Sequence, residues 1–210
     1  MGTHLSGPRP PTANVTGQEF RVVPAAPEHA AHLSGLFVRA EAPCYCRYWH
    51  FEGNTNAWLD RSAHHVDESR AEMLRALDSG SDEMSGVLAL TERDAIGWMK
   101  VAPAAAVTKL YAQRLYRSLP CFAGDREGVY TIGCILVDPA YRRRQVASRL
   151  LDGALALARR RGARALEAFP RRAEGISDAE AWTGPFSLYR RAGFEVVHDF
   201  APYPVMRRML

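Results

Sequence analysis

VYTIGCILVDPAYRRRQVASRLLDGALALARRR, residues 129–161, decides how the rest of the chain is read. Within it, residues 132–137 form an apolar, β-branched run of strand length. Asp138-Pro139 stops that strand, because proline cannot donate to a ladder and restricts the residue before it. Three arginines follow, Arg142, Arg143 and Arg144, and the small residues Ala147 and Ser148 open a long helix. Val146, Leu150, Leu151, Ala154, Leu157 and Ala158 recur on one face of it, the spacing of an amphipathic helix laid on a sheet. A strand, a basic turn and a helix N-terminus together make an anion site, since the first-turn N–H groups lack intrahelical partners and the dipole favours negative charge. The plain alternative is an ordinary strand–loop–helix unit with solvated arginines.

Residues 135–151, ILVDPAYRRRQVASRLL, resemble the acetyl-CoA motif of the GNAT superfamily of N-acetyltransferases. The family pattern is Arg or Gln, two residues, Gly, one residue, then Gly or Ala. It falls here on Arg142, Gln145 and Ala147, so Gln145 stands in place of the usual glycine. If the glycine serves close backbone approach to a pyrophosphate, Gln145 must manage with an ordinary φ/ψ or the cofactor sits slightly differently. A second stretch, FSLYRRAGFEVV at residues 186–197, resembles the family's helix–Gly-Phe–strand segment, with Tyr189 ahead of Gly193-Phe194. Gly193 reads as a helix C-cap and Phe194 as the first core residue of the next strand.

The resemblance implies a mixed α/β (α+β) fold, a mostly antiparallel central sheet with helices on both faces. It implies transfer of an acetyl group from acetyl-CoA, as co-substrate, to an amine, with no metal required. In that reading the backbone of Ile135, Leu136 and Val137 pairs with the pantetheine arm like an added strand. N–H groups across Arg143, Arg144, Gln145, Val146, Ala147 and Ser148 take the pyrophosphate, and the arginines, Arg142 included, add charge. Tyr189 is the family-matched general acid. The rival within the same scaffold is a non-catalytic acyl-CoA-binding sensor or partner domain.

Composition sets the outer limits. At 210 residues the chain reads as a leader over residues 1–17, rich in Pro, Gly, Ser and Thr, and one domain over residues 18–210. No apolar run approaches a membrane span or a signal peptide, and the four cysteines suggest no disulfide framework, which together fit the cytoplasm. The net charge of +4 is mild and dispersed; it suits an anionic cofactor and not nucleic acid, because the aromatics lie away from the arginine runs. The partners expected are a small-molecule or peptide amine, with neither nucleic acid nor membrane; a homodimer is compatible with the sequence.

Around the central unit the signals are local. Residues 20–23 read as a first strand, and a helix with Leu33, Leu36, Phe37 and Ala40 inward follows Pro27. Residues 67–77 read as another helix, and residues 87–90 and 95–101 as a hairpin in which Gly97 marks a bulge or a close backbone approach. Leu110, Leu115, Tyr116 and Leu119 suggest a helix within the otherwise irregular residues 104–128. Strands are expected over residues 163–169, 194–197 and 205–209.

Residues 43–61, PCYCRYWHFEGNTNAWLDR, are unusual in composition, and three readings stand side by side. Cys44, Cys46 and His50 could ligate zinc, although C-x-C is not the usual spacing. Tyr48, Trp49 and His50 could wall an acceptor site with aromatic faces, or the segment could simply pack on the core. The general base is the least defined role. Glu167, isolated in ARALEAFP, is the leading candidate: facing a cleft it would be a base with a raised pKa, and facing outward a solvated strand residue. Glu127, His50 and water are further candidates, and Cys134 could in principle carry an acyl group.

Overall fold

A computed structural model describes residues 19–172, 175 and 182–210; the leader expected over residues 1–17 lies outside them. Seven strands form one sheet: β1 (Arg21–Pro24), β2 (Gly86–Leu90), β3 (Ala95–Pro103), β4 (Val129–Val137), β5 (Ala165–Ala168), β6 (Glu195–His198) and β7 (Val205–Met209), in the spatial order β1-β2-β3-β4-β5-β7-β6. Every pairing is antiparallel except that of β4 with β5. The helices are α1 (Ala30–Arg39), α2 (Thr55–His64), α3 (Val66–Asp78), α4 (Thr108–Tyr111), α5 (Val146–Arg160) and α6 (Phe186–Arg191). This is the mixed, mostly antiparallel sheet with helices on both faces that the sequence led us to expect.

Period-two alternation in the strands sorts the core into two layers. Val87, Ala89, Met99, Ile135 and Leu166 face α5, whose Val146, Leu150, Leu151, Ala154, Leu157 and Ala158 are all buried against them. Leu88, Leu90, Trp98 and Cys134 face the other way, under Leu33, Leu36 and Phe37 of α1 and Met73 and Leu77 of α3. Gly97 is where α5 comes closest to the sheet. A Cβ there would stand 2.8 Å from Val146 and 2.9 Å from Leu150, so the glycine expected to mark a close approach does so.

Two stretches differ from the sequence reading. Helix α2 lies in the segment of unusual composition, capped by Asn54 Oδ1 accepting from the Ala57 N–H at 2.9 Å. It buries no residue, which is why no apolar period announced it. Between β3 and β4 the expected helix shrinks to the single turn of α4. Leu110 and Tyr116 instead join a third cluster with Trp49, Phe169 and Val205, and Tyr116 and Tyr111 meet the Phe169 ring individually. Aromatic docking, not helical periodicity, organises that segment.

Candidate active site

β4 and β5 run side by side only briefly. Their parallel ladder covers Val129 to Thr131 against Ala165 to Glu167 and then ends, while β4 continues to Val137. On its other edge β4 remains paired with β3, with Gly133 as the extra residue of a bulge between the Ile132 and Cys134 pairings. The second half of β4 therefore presents an edge to something other than β5. Along it opens a cavity of about 1360 Å³, lined on the strand by Gly133, Cys134, Ile135, Leu136 and Val137. That volume exceeds the usual range for compact small-molecule sites and suits an extended ligand.

At the end of β4 the cavity reaches the basic turn. Asp138 pins it: one carboxylate oxygen accepts from the Ala140 N–H at 3.0 Å and the other from Arg39 Nε at 2.8 Å. Arg143 and Gln145 both adopt left-handed backbone, with φ of 59° and 62°. Gln145 thus takes the conformation that glycine favours, and not the ordinary φ/ψ expected of it, at a cost of roughly 1–2 kcal/mol for an L-residue. Its side chain makes no capping hydrogen bond, and the first residues of α5, Val146, Ala147 and Ser148, line the cavity together with Arg142, Arg143 and Gln145. Arg144 does not line it; its guanidinium lies 5.6 Å from the Tyr141 ring centre. Arg171, Arg172 and Arg191 add further positive charge to the lining. Arginines beside a helix N-terminus give this end the charge and the donors that suit an anion.

The other end is aromatic. Trp49 Nε1 donates to the carbonyl of Gly133 at 2.9 Å, so the bulge fixes the loop after α1 onto β4. Arg47 anchors the same loop from below, donating to Glu83 at 2.6 Å. Tyr48 then meets Trp49, Trp58 and Trp182, with ring centres 4.8, 5.3 and 6.2 Å apart. All four rings line the cavity. Lys109 Nζ sits 4.8 Å from the Tyr48 ring centre outside this box and donates to the Phe51 carbonyl. Tyr48 and Trp49 thus reach the cavity, as an aromatic wall requires. His50 does not: it turns into the protein, its Nε2 2.6 Å from Nζ of the fully buried Lys100. Burial, with Lys100 and Arg47 beside it, pushes the His50 imidazole down to about 3, so it is neutral at physiological pH. Among the described residues no group of three or more His, Cys, Asp or Glu side chains converges as metal ligands do.

The two expected catalytic residues lie differently. Tyr189 is buried on α6, and its hydroxyl donates to the Thr183 carbonyl at 2.6 Å. The same hydroxyl lies 2.5 Å from where a Cβ on Gly184 would stand, and the tip of Ile135 is 2.7 Å from that point, so Tyr189 sits directly behind the cavity-lining Gly184 and Ile135. Burial, and then the neighbouring Cys134, hold its hydroxyl well above the ordinary tyrosine range, which keeps it protonated. Glu167 is neither a cleft residue nor a solvated one. It is 0% exposed and absent from the cavity lining, and it accepts from Arg126 at 2.7 and 2.9 Å, from Arg207 at 2.6 and 3.0 Å and from the Tyr111 hydroxyl at 2.7 Å. Cys44 and Cys46, read from the sequence as possible zinc ligands, line the cavity as well; Trp182, Arg171, Arg172 and Arg191 line it and had not been singled out as site residues. Only the downstream arginines carried a sequence signal, a basic pair soon after a strand.

The GNAT acetyltransferase family pattern matches residues 46–175 of the chain. No curated protein matches it significantly in sequence. Among solved structures, the PaiA N-acetyltransferase of Thermoplasma acidophilum, in complex with coenzyme A, is 12% identical, with 91% of this chain and 99% of that one covered at a TM-score of 0.52. A GNAT-family acetyltransferase of Listeria monocytogenes is 17% identical over 93% and 97% of the two chains, at 0.54. The yncA protein of Salmonella typhimurium, solved with its cofactor acetyl-CoA, is 14% identical over 91% and 94%, at 0.52. At these identities the likeness is one of fold.

Proposed function

Because the chain belongs to the GNAT acetyltransferase family, we propose that it transfers an acetyl group from acetyl-CoA to the amine of a small molecule or peptide. One observation carries this reading. The edge of β4 that β5 leaves unpaired runs within one cavity into the N-terminus of α5 and its arginines. A pantetheine arm is an extended chain with amides that can pair with a strand edge, and its pyrophosphate end is an anion; the two halves of the cavity fit the two halves of that ligand.

In this reading the N–H groups of Val146, Ala147 and Ser148, with Arg142 and Arg143, hold the pyrophosphate, and Ile135, Leu136 and Val137 guide the arm. The Ile135 N–H already donates to the Trp182 carbonyl at 2.7 Å, so pairing there exchanges one acceptor for another. Tyr189, protonated and behind Ile135, is the donor for the leaving sulfur once it releases the Thr183 carbonyl. Tyr48, Trp49, Trp58 and Trp182 exclude water and receive the acceptor. Glu167 holds β5, β7 and the segment before β4 together instead of accepting the amine's proton.

Calorimetric titration with acetyl-CoA and desulfo-CoA tests the reading, followed by CoA-release assays over an amine panel. Micromolar binding that Ala147→Glu abolishes, together with turnover on some amine, is the expected result. Absence of binding would overturn it. Binding without turnover on any amine would turn it into the acyl-CoA sensor.

A further inference from the structure

The edge that β5 leaves behind is not bare. Ile135 is buried, so once β5 has parted from β4 its N–H needs another acceptor. Trp182 supplies one: its carbonyl accepts from the Ile135 N–H at 2.7 Å. One residue further on, the Thr183 carbonyl accepts from the Tyr189 hydroxyl at 2.6 Å. Gly184 follows with φ of 89° and is pressed between the same two residues. A Cβ there would stand 2.5 Å from the Tyr189 hydroxyl oxygen and 2.7 Å from Cδ1 of Ile135. Pro185 then bridges in parallel to Arg171, just beyond β5, and leads into α6. Residues 182–185 thus cross from the edge of β4 to the end of β5 as a short strap.

The strap engages two donors at once. In the acetyl-CoA reading, on which this inference rests, an arm paired along Ile135, Leu136 and Val137 needs the Ile135 N–H, and the leaving sulfur needs the Tyr189 hydroxyl. In the free protein both are bonded to carbonyls of the chain itself. Those carbonyls belong to consecutive residues, so one turn of the backbone over residues 182–184 releases both. We propose that residues 182–184 are an internal plug. They hold the place of the arm in the free protein, acetyl-CoA displaces them, and the displacement hands Ile135 to the arm and Tyr189 to the sulfur together.

Two features let the backbone turn while its surroundings stay. The Trp182 ring is held apart from its carbonyl, by Trp49 and Tyr48 at 5.4 and 6.2 Å between ring centres, and remains in the aromatic wall. Gly184, without a side chain, gives the turn its conformational freedom. Each donor trades one acceptor for another, so the docked and displaced states lie close in free energy and a ligand can shift one to the other. The plug has two consequences. Tyr189 stays engaged until the arm is seated, and the apparent affinity for acetyl-CoA is lowered to the extent that the plug is docked.

NMR couplings across hydrogen bonds, recorded on the isotopically labelled full chain, read the plug directly. In the free protein a coupling is expected between the Ile135 amide nitrogen and the Trp182 carbonyl carbon, and it should vanish with desulfo-CoA at saturation, established by calorimetry. Couplings across the β3–β4 ladder in the same spectra control for sensitivity. A coupling that persists in the saturated complex would overturn the proposal and leave the family reading standing, as would its absence from the free protein. Failure to bind either acetyl-CoA or desulfo-CoA would remove both. Gly184→Ala supplies a second measure. Alanine is disfavoured at this φ and its methyl has no room in the docked plug, so desulfo-CoA binding should tighten roughly 5–30-fold. Unchanged or weaker binding by the folded variant would overturn the proposal. Because the coupling is measured on the unmodified protein, the outcome does not depend on the alanine variant folding.

Discussion

Replacing Glu167 by Gln separates a structural carboxylate from a catalytic one. The side chain is wholly buried and accepts two hydrogen bonds from Arg126, two from Arg207 and one from Tyr111, all between 2.6 and 3.0 Å. Glutamine keeps the shape, removes the charge and turns an amide donor toward guanidinium donors. Breaking a buried ion pair by deleting one partner costs about 3–5 kcal/mol, because the other charge is left uncompensated. The Arg126 and Arg207 side chains are 25% and 24% exposed, so water recovers part of the loss and the lower end, about 3 kcal/mol, applies. For a chain of this size that corresponds to a fall in Tm of roughly 6–12 °C. Urea unfolding followed by tryptophan fluorescence, with a thermal scan, measures it; calorimetry at low temperature should show acetyl-CoA affinity within about twofold of the parent, since Glu167 lies outside the cavity. A variant with unchanged stability and abolished acyl transfer would refute this reasoning and return Glu167 to the chemistry.

Three other perturbations probe the site. Gln145→Gly removes the left-handed penalty of about 1–2 kcal/mol and adds roughly 0.5–1 kcal/mol of chain entropy, so a net gain of about 0.5–1 kcal/mol is expected by denaturant titration; a loss would show that no strain resides there. Tyr189→Phe should cost about 1 kcal/mol of stability through the lost bond to Thr183 and lower turnover by roughly 10²-fold, with acetyl-CoA affinity unchanged; full turnover would reduce Tyr189 to packing. His50 is neutral in the folded protein and its folded value lies below the unfolded one, so its contribution is complete above about pH 6.5 and lost as pH falls toward 3. Between pH 6.5 and 5 this amounts to about 2 kcal/mol. His50→Gln, which keeps an acceptor for Lys100, should flatten that part of the stability profile, and an unaltered slope would show that His50 does not titrate there.

By itself the sequence determined the elements whose signals are local. The strand, basic turn and helix from Val129 onward, the β2–β3 hairpin and the Gly193 cap, with φ of 77°, follow from apolar period, proline and glycine, each readable within a dozen residues. From those elements and the two family-like motifs the mixed sheet and the position of the basic turn could be laid out in advance. Only the tertiary structure decided the remainder. Helix α2 buries nothing, so no period marks it. The parting of β4 from β5 is a matter of register, and register depends on which strands meet. Glu167 looked isolated because Tyr111, Arg126 and Arg207 are far from it in the chain. Cys46 looked like half of a C-x-C pair, whereas its sulfur accepts from the indole of Trp98, contributed by β3. The charge state of a buried group depends on neighbours at a few ångströms, and chain order does not specify those neighbours until the sheet has formed.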